Sequence, residues 1–243
     1  MFPLKDNIPT DRFPVVTVAL IVANVVIYFF LQKGGLGEIA NNTGDWPVDE
    51  YALVPCDLTG ESPCRVDGDH IGGVPSVFTS MFMHGSALHL GGNMLFLWIF
   101  GNNVEDSMGP LRFIVFYLAG GVAADALQVV FDTGSQIPTL GASGAVAAVL
   151  GGYILLYPRA RVITVIFIII FFTILELPAM LVLGLWFLQQ LFFSLAEFGS
   201  AGDGGGGVAY FAHIGGFVFG LAAIKLVATR VKDLPERRRR SAF

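Results

Sequence analysis

A chain of 243 residues that is 54% hydrophobic and only 14% charged has too little polar surface to wrap a water-soluble core, which excludes an ordinary soluble enzyme. The formal charge of -5 is segregated by loop, and the one basic cluster, Arg237 to Arg240, follows the last apolar run as a membrane-surface anchor would, so no nucleic-acid surface is expected. The length permits one membrane domain.

In chain order, residues 1–12 form a short tail carrying Lys5 and Arg12, and a first apolar span from about Phe13 to Leu31 is taken as a retained anchor. A polar segment, 32–83, follows; it is rich in Gly, Pro and acids (Glu38, Asp45, Asp49, Glu50, Asp57, Glu61, Asp67 and Asp69) and is expected to be an external loop with little core of its own. Further spans are expected at 87–101, 111–131, 140–157 and 208–228. The stretch from Val162 to Leu195 is apolar but broken by Glu176 and Pro178, and it is too long for one helix of ~20 residues. We assign it one crossing, about Leu177 to Leu195, with Val162 to Leu175 lying at the interface against lipid or protein.

That gives an all-α membrane protein with six spans, a membrane domain of residues 13–229 and a basic tail of 230–243. The Lys5 and Arg12 tail, the Arg159 and Arg161 turn and the Arg-rich terminus all fall on one side, which the charge rule makes cytoplasmic. A bacterial plasma membrane with both termini inside is expected, since the tail holds Asp6 and Asp11 and does not resemble a transit peptide. The acidic first loop, the Asp132 turn and the Gly-rich 197–207 turn then face outward. Cys56 and Cys64 sit in that outer loop, where a disulfide could form; with His70 they offer three possible metal ligands, a weaker reading.

Ionisable or nucleophilic groups inside a bilayer are costly, so each is a functional candidate. Ser143 lies in Gly141-Ala142-Ser143-Gly144 at the first turn of span four, and His213 in Ala212-His213-Ile214-Gly215-Gly216 near the start of span six. With one crossing between them, spans four and six are parallel, so both groups fall at the same depth on the same side. Ser143, Ala147 and Gly151 share one helix face, and His213, Gly216 and Gly220 share another. Small residues let helices approach closely, as a Ser–His hydrogen bond of about 3 Å requires. At 1.5 Å rise per residue the site lies roughly 8 Å below the surface, and water must be admitted there. Near span two, His89 and Asn93 stand one turn apart. Beside an attacking serine they could supply donors to an oxyanion, as could free N–H groups at the start of span four.

His84 and His89 with Asn93, then Gly141-Ala142-Ser143-Gly144, then Ala212-His213 with Gly216 and Gly220, resemble the rhomboid family of intramembrane serine proteases in order and spacing. The resemblance covers nearly the whole chain and implies a six-span rhomboid-type bundle with no cofactor and no metal. It implies a dyad with Ser143 as nucleophile and His213 as general base. His89, Asn93 and the Ser143 backbone N–H would form the oxyanion site, with His84 supporting the region between the first loop and span two. The expected partners are the lipid bilayer and single-span membrane proteins whose helix unwinds easily near the surface, with Phe187, Leu188, Phe192 and Phe193 of span five forming part of a lateral gate.

Two features depart from the family pattern. Pro75-Ser76-Val77-Phe78-Thr79 stands where many members have Trp-Arg, and Ala147 stands where some carry an aromatic residue stacked under the histidine, so the base must be held differently. Asp125 is the only reachable carboxylate for a triad, and packing within the bundle is its preferred role. The alternative reading is a catalytically silent rhomboid-like protein that binds transmembrane clients. A transporter would show internal repeats, and none is found.

Overall fold

The computed structural model of the chain describes residues 2–36, 47–64, 70–168, 171–199 and 208–232. Glu38, Asp45, Asp67, Asp69, the core of the Gly-rich turn (200–207) and the Arg237 to Arg240 cluster lie outside the described residues.

Helix α1 (Val15–Val26) continues through a π-helical turn to Leu31. Among the described residues three short helices follow: α2 (Val48–Tyr51), α3 (Pro55–Thr59) and α4 (Gly73–Ser80). Helix α5 (Ala87–Phe96) passes through a second π-helical turn, Leu97–Gly101, into α6 (Asn102–Met108), so helical structure continues past the expected end at residue 101. The remaining helices are α7 (Pro110–Phe131), α8 (Ser143–Leu156), α9 (Ala179–Gly199) and α10 (Tyr210–Val227). Within α7, α9 and α10, the segments Pro110–Phe131, Ala179–Ala196 and Tyr210–Val227 are long and apolar enough to cross a membrane, while Val15–Leu31 and Ser143–Leu156 are apolar but shorter.

The helix ends have local causes. Ser86 caps α5 by accepting the His89 N–H at 3.1 Å. Pro110 opens α7 where its missing N–H is no loss, directly after Gly109 at φ 84°. Helix α1 begins after Pro14, which offers no side-chain cap. The carboxylate of Glu105 on α6 caps it instead, accepting Val16 N–H at 3.0 Å, Thr17 N–H at 2.8 Å and the Thr17 hydroxyl at 2.7 Å.

Two expectations are corrected. The chain is not all-α: the stretch expected to rest at the interface contributes to an antiparallel strand pair, β2 (Arg161–Ile168) and β3 (Phe171–Pro178), whose register runs from Arg161↔Pro178 to Ile168↔Phe171. β1 (Phe2–Asp6) adds to its other edge. The segment is dominated by β-branched Val, Ile and Thr, which fit a pleated sheet better than a helix. Glu176 therefore stands on β3 opposite Ile163, outside helix α9. The first loop also holds more than coil, because α2–α4 lie within it and Leu53, Val77 and Met81 bury against Val129 of α7.

The first and last described segments meet at the end of the bundle that carries the sheet. Asp6 accepts the Tyr153 hydroxyl at 2.6 Å and the Asn103 amide at 2.8 Å. Asp106 accepts Asp11 N–H at 2.8 Å and pairs with Lys232 at 2.5 Å, and Arg230 pairs with Asp11.

Helix α8 forms the centre, with every residue from Gly144 to Tyr153 buried. It makes its broadest contact with α10, and there the two backbones touch. A Cβ on Gly216 would lie 2.0 Å from the Gly144 carbonyl oxygen. One on Gly220 would lie 2.0 Å from that of Ala148, and one on Gly151 2.1 Å from that of Phe217. The contacts rise together along both helices, so α8 and α10 run parallel. Gly220→Val is expected to destabilise the protein in detergent by at least about 1–3 kcal/mol, the usual scale of overpacking. Gly184→Ala on α9, where an added Cβ meets nothing within 4 Å, is expected to leave the melting temperature unchanged; equal melting of both variants would contradict the backbone contact.

Candidate active site

The parallel register of α8 and α10 brings their N-terminal ends together. Ser143 is the first residue of α8 and His213 the fourth of α10, and both line one cavity of about 600 Å³. Helix α5 supplies His89 and Asn93 to the same wall, and Trp186 of α9 closes another side. Leu88, Phe96, Leu140, Val146 and Leu150 make the rest of the lining mostly apolar. The volume falls in the range of about 300–1,000 Å³ common to ligand pockets.

Gly141 shapes the wall beside Ser143. Its φ of 127° is one that residues with a Cβ rarely adopt. A Cβ there would lie 2.8 Å from Cε1 and 2.9 Å from Nε2 of His89, and 3.5 Å from the Ser143 hydroxyl. The same empty point thus adjoins both the His89 ring and the hydroxyl, and only glycine leaves it open. The Gly141 N–H is fixed by the Ser80 carbonyl at 2.9 Å.

His84 is fully buried and stands behind the cavity wall. Its Nε2 lies 3.0 Å from the Asn93 side-chain nitrogen. The amide can only donate, so the ring accepts. Burial, followed by the neighbouring His89, pushes the His84 ring down to about 3 from the ordinary imidazole value of 6.5, so it is neutral near pH 7. Its backbone is locked reciprocally by Gln32: His84 N–H donates to Gln32 Oε1 at 3.0 Å and Gln32 Nε2 donates to the His84 carbonyl at 3.2 Å. Gln32 belongs to the end of the first helix, a link that sequence spacing does not reveal.

His213 is held by α9. Its Nδ1 lies 2.8 Å from Gln190 Oε1, and the Trp186 ring lies against it with centroids 5.7 Å apart at 37°. With Ala147 in place of an aromatic residue on α8, the neighbouring helix provides the ring. Neither Gln190 nor Trp186 was singled out from sequence; the signal was an amide inside an apolar span, where polar groups are rarely idle. Asp125 does not line the cavity; it is buried on α7 against Ser80. Gly216 and Gly220 serve the α8–α10 contact, and Gly144 makes room for Ala124 of α7, whose Cβ lies 2.5 Å from where a Gly144 Cβ would stand.

Cys56 and Cys64 are joined in a disulfide, and His70 pairs instead with Asp57 at 3.4 Å, so the three do not form a ligand set. The bridge sits where the first loop is stapled to the α7–α8 connection. Leu53 forms an antiparallel bridge with Thr139, Cys56 N–H donates to the Ser135 carbonyl at 3.0 Å, and the Thr59 hydroxyl donates to the Thr133 carbonyl at 2.9 Å.

Comparison with known proteins agrees with this arrangement. The chain is 28% identical over 180 residues to Rhomboid protein 1, mitochondrial, of Saccharomyces cerevisiae, covering 72% of this chain and 48% of that protein. It is 35% identical over 94 residues to the human presenilin-associated rhomboid-like protein, mitochondrial (38% of this chain, 24% of that protein). It is 28% identical over 167 residues to RHOMBOID-like protein 12, mitochondrial, of Arabidopsis thaliana (62% and 46%). The chain spans about half or less of the length of these relatives. All three are mitochondrial by name, which overturns the expectation of a bacterial plasma membrane. That expectation rested on a tail with Asp6 and Asp11 that does not resemble a transit peptide, and the tail's residues do not decide which membrane holds the domain. The model of the rhomboid domain matches residues 72–230, which include every residue of the cavity wall, and the chain belongs to the rhomboid family.

Proposed function

We propose that the chain is an intramembrane serine endopeptidase that hydrolyses a peptide bond in or near the transmembrane segment of other membrane proteins. The observation that carries this reading is the shared cavity of Ser143 and His213 at the N-terminal ends of two parallel apolar helices. In this reading residues 13–229 form a six-span domain, with α1, α5–α6, α7, α8, α9 and α10 as the crossings. The sheet lies at the end opposite the cavity.

Depth follows from α8. Its 14 residues rise only about 21 Å, short of the roughly 30 Å hydrocarbon layer. Because other helices surround it, α8 can end inside the bundle, so Ser143 sits below the surface while the polar mouth at Gly85 and Ser86 admits water. A substrate helix must unwind locally, since a helical backbone hides its carbonyls from a nucleophile. Small or helix-breaking residues at the cleaved position favour that. Exposed Leu188, Phe192 and Phe193 on α9 offer an apolar flank along which such a segment would approach.

The Ser143 hydroxyl attacks the carbonyl carbon while His213 takes its proton. The carbonyl oxygen becomes an oxyanion and receives hydrogen bonds from the Ser143 N–H, free at the helix start, and from the Asn93 amide and the His89 ring. His213 then passes its proton to the leaving amine. Water, deprotonated by His213, releases the acyl group and regenerates Ser143. His84 takes no part in these transfers; by accepting from one Asn93 hydrogen it aims the other at the oxyanion.

Purified protein incubated in detergent with a quenched transmembrane peptide is expected to cleave it. Ser143→Ala and His213→Ala are each expected to lower turnover at least about a thousandfold. Cleavage unchanged in either variant would sink the dyad. A wild type that binds such helices but cleaves none across a broad panel would instead favour the silent client-binding reading.

The oxyanion donors give a second expectation. Asn93→Ala should reduce turnover roughly a hundredfold with little change in KM, and His84→Leu should lower kcat in the same direction by a smaller factor. For stability, the folded-state value of His84 lies below its unfolded one. Its contribution is therefore complete above pH 6.5 and is lost as pH falls from there toward about 3. Melting temperatures recorded from pH 7 to pH 4 are expected to decline, and to decline less steeply in His84→Gln; parallel curves would contradict the neutral buried ring.

A further inference from the structure

Gln190 is 5% exposed, on the face of α9 that meets α10. Its side-chain nitrogen donates to the Trp186 carbonyl one turn back at 3.2 Å. This commitment orients the amide, so the atom 2.8 Å from His213 Nδ1 is the oxygen. An amide oxygen only accepts, so Nδ1 must carry the hydrogen, and a neutral imidazole protonated there has its lone pair on Nε2. We propose that Gln190 is a positioning residue that selects this tautomer of His213 and so keeps Nε2 free to take the Ser143 proton. The inference rests on the hydrolase reading above for the proton's origin, while the tautomer itself follows from the α9–α10 contact.

The grip on His213 is rigid. Trp186 lies against the imidazole and also 6.2 Å from the Phe217 ring at 40°, and Phe187 stacks on Phe217 with centroids 4.4 Å apart at 17°. These contacts set the distance from α9 to α10 at the level of the histidine. The surroundings of His213 hold little charge that would do the same work. His89 is the titratable ring that faces it from α5, and α8 presents the Ser143 hydroxyl. On α7, Gln128 accepts the Ala212 N–H at 3.2 Å, and Asp125 is turned to Ser80. An uncharged acceptor at residue 190 orients the ring without adding a buried ion, whereas a carboxylate there would stabilise the imidazolium.

The test uses the purified full chain in detergent. Two quantities are followed from pH 5 to pH 9: the rate at which a fluorophosphonate probe labels Ser143, and kcat and KM for a quenched transmembrane peptide. Gln190→Leu, similar in size but without an acceptor, is expected to slow labelling and kcat roughly tenfold or more while KM stays within twofold. Gln190→Glu keeps the acceptor. It is expected to recover most of the rate and to move the acidic limb of the profile upward by about one pH unit or more.

A Gln190→Leu protein that labels within twofold of wild type over the same profile overturns the proposal. So do equal losses in both variants with no shift of the limb, which would mark simple structural support. Should either variant fail to fold, the 15N shifts of His213 in the wild type decide alone: hydrogen on Nδ1 upholds the proposal and hydrogen on Nε2 overturns it. A wild type that neither labels nor cleaves sinks the hydrolase reading, and the 15N measurement still decides the role of Gln190.

Discussion

Helices α8 and α10 meet backbone to backbone at three glycines, and the rest of the site follows from that contact. Glycines at 216 and 220 on α10 and at 151 on α8 each stand where a single methyl group would fall within 2.1 Å of a carbonyl oxygen on the other helix. In lipid, helices gain nothing from hiding apolar side chains from one another, so association depends on close van der Waals packing. The register of that packing is fixed by where glycine occurs. It sets Ser143 and His213 at the same height and in one cavity, and it places α8 inside the bundle, where a short helix is tolerated.

Around this contact, several buried polar groups are paired across helices that are distant in sequence. Glu105 caps a helix some ninety residues earlier, and Gln32 holds the backbone of His84 while His84 holds Asn93. An unpaired polar group buried in an apolar bundle costs on the order of 1–3 kcal/mol, so each pairing fixes orientation as well as energy. The cavity wall is specified by these second-layer hydrogen bonds as much as by the residues that line it.

How much was legible from the sequence depended on the kind of signal. Apolar runs bounded by Gly and Pro located the long helices closely: the third span, read as 111–131, is Pro110–Phe131, and the last, read as 208–228, is Tyr210–Val227. That residues 143 and 213 meet at one cavity could be reasoned from parity, because one intervening helix, α9, lets α8 and α10 run parallel, and from the small residues repeating on their faces. The hairpin is hard to read because a continuous apolar stretch has no period to distinguish strand from helix; β-branched enrichment is the clue that it carries. Gln190 was missed because its partner lies twenty-three residues away on another helix, and no pattern within α9 announces that contact.

The first loop is joined to the chain that leads into α8 by backbone hydrogen bonds at Leu53 and Cys56 and by the Thr59 hydroxyl, and the bridge between Cys56 and Cys64 closes it on itself. A segment remote in sequence from the serine is therefore mechanically part of the strap that carries it. A displacement of this loop, whether by a bound neighbour or by a bending bilayer, would pass through three short links toward the turn at Gly141 and reach Ser143 before His213.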